Sequence, residues 1–143
     1  MTHDETRSFI ERYVEAWKRE DVGSLAACYA ENARIDSPLF HTVIGRPGIE
    51  KSFRDLFGAF SDWDFRIDDI IVDSGDDAKA VLAYTTRITH RGDLLGMPGT
   101  GRRLENSAVH ILRFENGRIV ADRRLYDFTG VLIQLGVLKA KAV

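Results

Sequence analysis

Apolar residues recur at helical spacing in the first third of the chain and at alternate positions through most of the rest. Phe9, Ile10, Tyr13, Val14 and Trp17 share one face of a helix. Ahead of them, Thr2-His3-Asp4-Glu5 has capping-box spacing. Asp21 is placed to cap a second, short helix carrying Val22, Leu25, Ala26 and Tyr29. A brief extended piece, Arg34 to Asp36, runs into a stop at Ser37-Pro38. Gly45-Arg46-Pro47 sets a proline at the start of a third helix, whose stripe is Ile49, Phe53, Leu56, Phe57 and Phe60.

From Phe65 the period drops to two. Phe65 to Val72, Ala78 to Thr89, Arg102 to Phe114 and Arg118 to Phe128 read as strands rich in branched and aromatic residues. Ser74-Gly75-Asp76-Asp77 reads as a turn, Arg91 to Gly101 as a loop, and Asn116-Gly117 as a tight hairpin turn. Thr129 can cap a last helix carrying Val131, Leu132, Leu135 and Leu138. Helices first and a meander after them predict a single α+β domain over 1–143. Its curved antiparallel sheet should wrap around the N-terminal helices and leave a cavity between them.

At 143 residues the chain can bury both a core and a ligand cavity. Its 20 Lys+Arg against 22 Asp+Glu leave no broad basic surface, which argues against nucleic acid as a partner. Cys28 stands alone, and His3, His41, His90 and His110 lack paired metal-ligand spacing, so no metal site is expected. The polar, acidic start (Met1 to Glu5) is unlike a signal peptide, and no apolar run reaches the ~18 residues of a membrane span. The expectation is a cytoplasmic protein without membrane contact. Gly96-Met97-Pro98-Gly99-Thr100-Gly101 leads into a strand, so it lacks the helix N-terminus of a phosphate cradle.

Several blocks resemble the SnoaL-like polyketide cyclases of the nuclear transport factor 2-like superfamily. They are His90-Arg91-Gly92, Gly96 to Arg103, Val109-His110, Glu115 to Val120, Tyr126-Asp127 and Gln134-Leu135-Gly136, spanning about 50 residues in the family's order. The resemblance implies a cone-shaped α+β barrel and, by analogy, a homodimer. It also implies acid–base chemistry beside a carbonyl, closing a ring by aldol addition without metal or organic cofactor. Many such cyclases carry a catalytic aspartate three residues before the position of Asp127; Arg124 stands there in this chain. Asp127 matches a more widespread aspartate, expected to cap or anchor the last helix. The family's histidine is retained as His110.

Alternation puts Asp122, Arg124 and Tyr126 on one face of the last strand, with Asp122 and Arg124 one strand step (~6.6 Å) apart. His110 shares its face with Ala108, Leu112 and Phe114, an inward set. His110, Asp122 and Arg124 are therefore the catalytic candidates, with Arg124 holding an enolate or carboxylate. The competing readings are a satisfied core histidine and a structural ion pair. Tyr13, Trp17, Phe53, Phe57, Tyr84, Leu112 and Tyr126 are expected along the core or cavity wall, Asp36 and His41 at most at its rim, and His90 in an exposed turn. Three functions stay open: a cyclase- or isomerase-type enzyme, an epoxide-hydrolase-like enzyme needing a second inward carboxylate, and a non-catalytic binder of a small apolar or oxygenated organic ligand.

The hairpin decides whether the candidates meet. A two-residue Asn116-Gly117 turn pairs Glu115 with Arg118, and unbroken pairing from there sets His110 opposite Arg123. Directly paired residues share a face, so His110 would point away from Asp122 and Arg124. A shared site requires an odd loop or a bulge.

Overall fold

The computed structural model describes residues 1–73 and 78–139; the turn expected over Ser74 to Asp77 lies outside them. Helix α1 (His3–Lys18) starts on the expected capping box: the Thr2 hydroxyl accepts from the Glu5 N–H at 3.1 Å, and the Glu5 carboxylate accepts from the Thr2 N–H at 2.9 Å. Asp21 caps α2 (Val22–Ala27) through the Ser24 N–H. The brief piece expected at Arg34 to Asp36 is the core of a nine-residue strand, β1 (Tyr29–Ser37), which turns back as β2 (His41–Ile44). Only Tyr29, Ala33 and Ile35 of β1 are buried, so a polar, irregular sequence conceals it. Helix α3 (Arg46–Ala59) follows, with proline in its first turn.

Four long strands complete the sheet: β3 (Phe60–Val72), β4 (Lys79–His90), β5 (Arg103–Glu115) and β6 (Arg118–Tyr126). β3 begins five residues before the expected start. Sequential pairs from β3 to β6 are antiparallel, as a meander requires. β1 then joins β6 in parallel, giving the order β2-β1-β6-β5-β4-β3. The curved sheet is open, with β2 and β3 as edges. Helix α4 (Phe128–Gln134) is capped by Asp127, whose carboxylate accepts from the Gly130 N–H at 2.8 Å. Thr129 lies inside the first turn and is not the cap.

The β5–β6 hairpin carries the decisive detail. Asn116 and Gly117 both have positive φ, 50° and 73°, so the turn is the two-residue kind. Glu115 pairs with Arg118 and Phe114 with Ile119, but Arg113 pairs with Ala121. Val120 is an extra residue, and the bulge shifts everything beyond it by one. His110 therefore lies opposite Arg124, and Leu112 opposite Asp122.

Two apolar clusters fill the concave side. The larger joins α1 and α3 to the sheet through Ile10, Tyr13, Trp17, Phe53, Leu82 and Leu112. The smaller comprises Leu39, Ala59, Phe60, Ile88, Leu94, Leu104, Val131 and Leu135. His90, expected in an exposed turn, is buried against Phe60. Its Nδ1 accepts from the Thr100 N–H at 3.2 Å, which fastens the end of the 91–102 loop. Among the described residues no helix is long and apolar enough to cross a membrane.

Candidate functional site

The strand register brings His110, Asp122 and Arg124 onto one buried face. Asp122 Oδ2 accepts from the Arg124 Nε–H at 3.1 Å and from the Tyr29 hydroxyl at 2.7 Å. Arg124 Nη2 donates to the same Tyr29 oxygen at 3.1 Å. Because the Tyr29 proton is committed to the carboxylate, the 2.7 Å contact between Tyr13 and Tyr29 has Tyr13 as donor. Tyr29, expected on the second helix, instead opens β1, because α2 ends at Ala27, and it is not among the expected site residues. The parallel β1–β6 pairing, which aligns Ile35 with Asp122, carries Tyr29 under the site.

His110 Nδ1 lies 3.4 Å from Asp122 Oδ1, an electrostatic contact too poorly aligned to be a hydrogen bond, and neither atom has a hydrogen-bond partner. A carboxylate only accepts, so this contact favours the tautomer with its proton on Nδ1. His110 Nε2 is then the acceptor for the Tyr84 hydroxyl, 2.9 Å away. A chain Asp122–His110–Tyr84 results. The Arg124 guanidinium is packed between rings, 5.6 Å from the Trp17 centroid and 5.3 Å from that of Phe53.

Burial dominates the protonation states. It pushes the His110 imidazole down to about 4, against the pull of the Asp122 charge, so His110 is neutral at pH 7. Burial alone would raise the Asp122 carboxyl, but the Arg124 charge, His110 and the Tyr29 hydroxyl hold it below the usual carboxylate range. Burial opposes the Arg124 charge as well, yet Asp122 keeps it firmly protonated. Tyr84 is raised by burial and stays a phenol. The pair Asp122–Arg124 is thus ionised and internally neutralised.

A cavity of about 60 Å³ lies where the two clusters meet. Trp17, Tyr84, Arg124 and Tyr126 are among the residues that line it. His110 and Asp122 do not; they stand behind Tyr84 and Arg124. The other residues expected along the core or cavity wall lie in the core. Tyr13 from α1 and Phe53 from α3 are buried in the large cluster with Leu112 of β5, and Phe57 packs against it, at the helix–sheet interface. Asp36 is tied to Arg34 and Thr42 outside the cavity, where Ser37 takes the lining position. Leu39, Phe60, Ile88, Leu94 and Leu104 from the small cluster complete an apolar wall. Among the described residues no carboxylate lines the cavity, so they form no aspartate pair there of the kind the epoxide-hydrolase reading requires. Among the described residues no three His, Cys, Asp or Glu side chains converge to hold a metal ion.

The family model for SnoaL-like polyketide cyclases matches residues 7–135. Nogalonic acid methyl ester cyclase of Streptomyces nogalater is 38% identical over 91 residues, covering 60% of this chain and 66% of that protein. Aklanonic acid methyl ester cyclase DnrD of Streptomyces peucetius is 39% identical over 64 residues, 45% of this chain and 43% of its own. The matched stretches span less than two thirds of either relative's length. Among solved structures, TsrD of Streptomyces laurentii superposes with a TM-score of 0.82 at 26% identity, covering 96% of this chain and 99% of that one.

Proposed function

The chain belongs to the SnoaL-like polyketide cyclase family, and we propose that it moves protons beside a carbonyl of an apolar organic substrate, with Tyr84 and Arg124 meeting that substrate. The observation that carries this reading is the Asp122–His110–Tyr84 chain, which ends on a cavity-lining hydroxyl. Nε and Nη2 of Arg124 are spent on Asp122 and Tyr29, so Nη1 holds the donors left for a ligand. Nη1 donates to the carbonyl oxygen from the start; the Tyr84 hydroxyl, whose resting proton is committed to His110, can donate to the enolate or alkoxide oxygen only once the relay has moved.

The proton path is balanced within the protein. As the base step begins, the Tyr84 oxygen takes a proton from the substrate carbon while its own proton passes to His110 Nε2. The imidazolium so formed faces the Asp122 carboxylate, which stabilises it as the buried aspartate does in a Ser-His-Asp triad. After the new carbon–carbon bond forms, His110 returns the proton to Tyr84, and Tyr84 protonates the alkoxide. Arg124 holds the oxygen through both steps and does not itself titrate. Because Asp122 already neutralises Arg124, a neutral carbonyl suits the site better than a free carboxylate, whose charge would stay uncompensated in the cavity.

The methyl esters named for the two cyclases are the first substrates to try. Aldol closure leaves the mass unchanged, so the product is an isomer with a new chromatographic retention. Tyr84→Phe should slow closure about a hundredfold or more while leaving the fold intact. Closure by Tyr84→Phe at the wild-type rate would remove the relay. If the wild-type chain neither closes the esters nor exchanges their α-protons with deuterated solvent, the binder reading takes its place.

A further inference from the structure

We propose that Asn106 is a specificity-determining residue, whose side-chain amide reads a second oxygen of the ligand away from the reacting carbonyl. This rests on the cavity reading above. Asn106 lines the cavity, half-buried, on the inner face of β5 between Leu104 and Ala108. It is four residues, two strand steps of ~6.6 Å each, from the level where His110 pairs with Arg124. The reacting end and Asn106 therefore address different parts of one ligand.

The amide is unspent. The Asn106 side chain makes no hydrogen bond to any described residue, and the buried Trp17 indole N–H on the same lining is likewise unpaired. An asparagine is also poorly suited to a strand interior flanked by leucine and alanine. Positions that break local preference without an internal reward mark functional sites.

The backbone beneath it is held in place. β6 ends at Tyr126, opposite Ala108, so β5 overruns its neighbour. The freed edge at Glu105 is closed by a side chain: Gln134 Nε2 donates to the Glu105 carbonyl at 2.8 Å, and its Oε1 accepts from the Glu105 N–H at 2.9 Å. One amide thus stands in for a missing strand. On the other side, the Thr86 hydroxyl donates to the Asn106 carbonyl at 3.3 Å. Asn106 is presented on a fixed backbone with donor and acceptor both unspent, which lowers the entropic cost of recognition. The oxygen it fits is a hydroxyl or carbonyl on a ring beyond the reacting one.

Two probes separate the assignments. 1-Tetralone offers one carbonyl for Arg124; 5-hydroxy-1-tetralone adds a hydroxyl on the opposite side of the ring pair. Calorimetric titration should show the hydroxylated probe binding the wild-type chain about fivefold tighter, the worth of one neutral hydrogen bond. N106L should bring the two affinities together without weakening 1-tetralone. N106A, which removes the amide without added bulk, should likewise erase the preference and covers the case in which N106L fails to fold; a preference that survives N106A overturns the role of Asn106. Equal affinities in the wild-type chain, or a preference that survives N106L, overturn the role of Asn106 and leave the cavity reading standing. If the wild-type chain binds neither probe, the cavity reading falls and this assignment with it.

Discussion

Around the cavity, one wall comes from α1, α3 and the long strands, and buries a chain of phenols, an imidazole and an ion pair among its rings. The opposite wall is smaller, built on an apolar cluster without charged groups, and drawn in part from outside the long strands: Leu39 after β1, Leu94 in the 91–102 loop, Val131 in α4 and Leu135 just beyond it. Its ties are peripheral. Gln134 clamps Glu105, Arg102 donates to the Gln134 carbonyl, and Thr100 is held by His90. Groups that must hold protons at set distances belong on the wall that cannot move. A cavity of about 60 Å³ has room for about four waters, so a multi-ring ligand enters only if a wall yields. The smaller one has fewer contacts to break.

That contrast is broken most directly at Asp122. Asp122→Ala leaves the Arg124 charge buried without its carboxylate and should cost about 3–5 kcal/mol in urea unfolding. A loss under about 1 kcal/mol would mean that the inner wall is as pliable as the outer one. The second test is pH. Below about pH 6.5 the unfolded chain protonates His110, whereas the folded chain holds it neutral down to about 4. Stability should therefore fall as pH falls through that window, by on the order of 3 kcal/mol, and His110→Gln should flatten the slope. A profile unchanged by the substitution would show that His110 does not carry it. The smallest effect belongs to the outer wall. Gln134→Ala should cost about 1 kcal/mol, because water can reach the released Glu105 edge. Hydrogen exchange of the Glu105 amide should quicken while amides around Asp122 stay protected; equal quickening at both would merge the two regions.

The chain discloses its helices and its four long strands through caps and periodicity, because those signals are local. β1 escaped because its inward residues, Tyr29, Ala33 and Ile35, are separated by an irregular spacing. Its pairing with β6 joins positions about ninety residues apart, which no window along the chain can sense. That pairing is also why Tyr29 was missed as the hub of the site. Arg124 was legible from its match to the family's aspartate position, and His110 from its apolar companions. Whether they met was not legible, since alternation counted from the turn gives the opposite answer. His90 misled for a related reason: a histidine before a glycine-rich loop looks solvated, yet the loop folds back over it.

The extra residue at Val120 bears on how this chain can change length. Because Ile119 and Asp122 both face inward around the bulge, removing Val120 would straighten the strand and still leave Asp122 opposite Leu112 and Arg124 opposite His110. Removing one residue between Asp122 and Tyr126 instead would turn part of that face inside out. Insertions and deletions in descendants of this gene are therefore tolerated unequally along a nine-residue strand. The bulge is a buffer that absorbs a change of one residue near the hairpin tip before it reaches the buried charges.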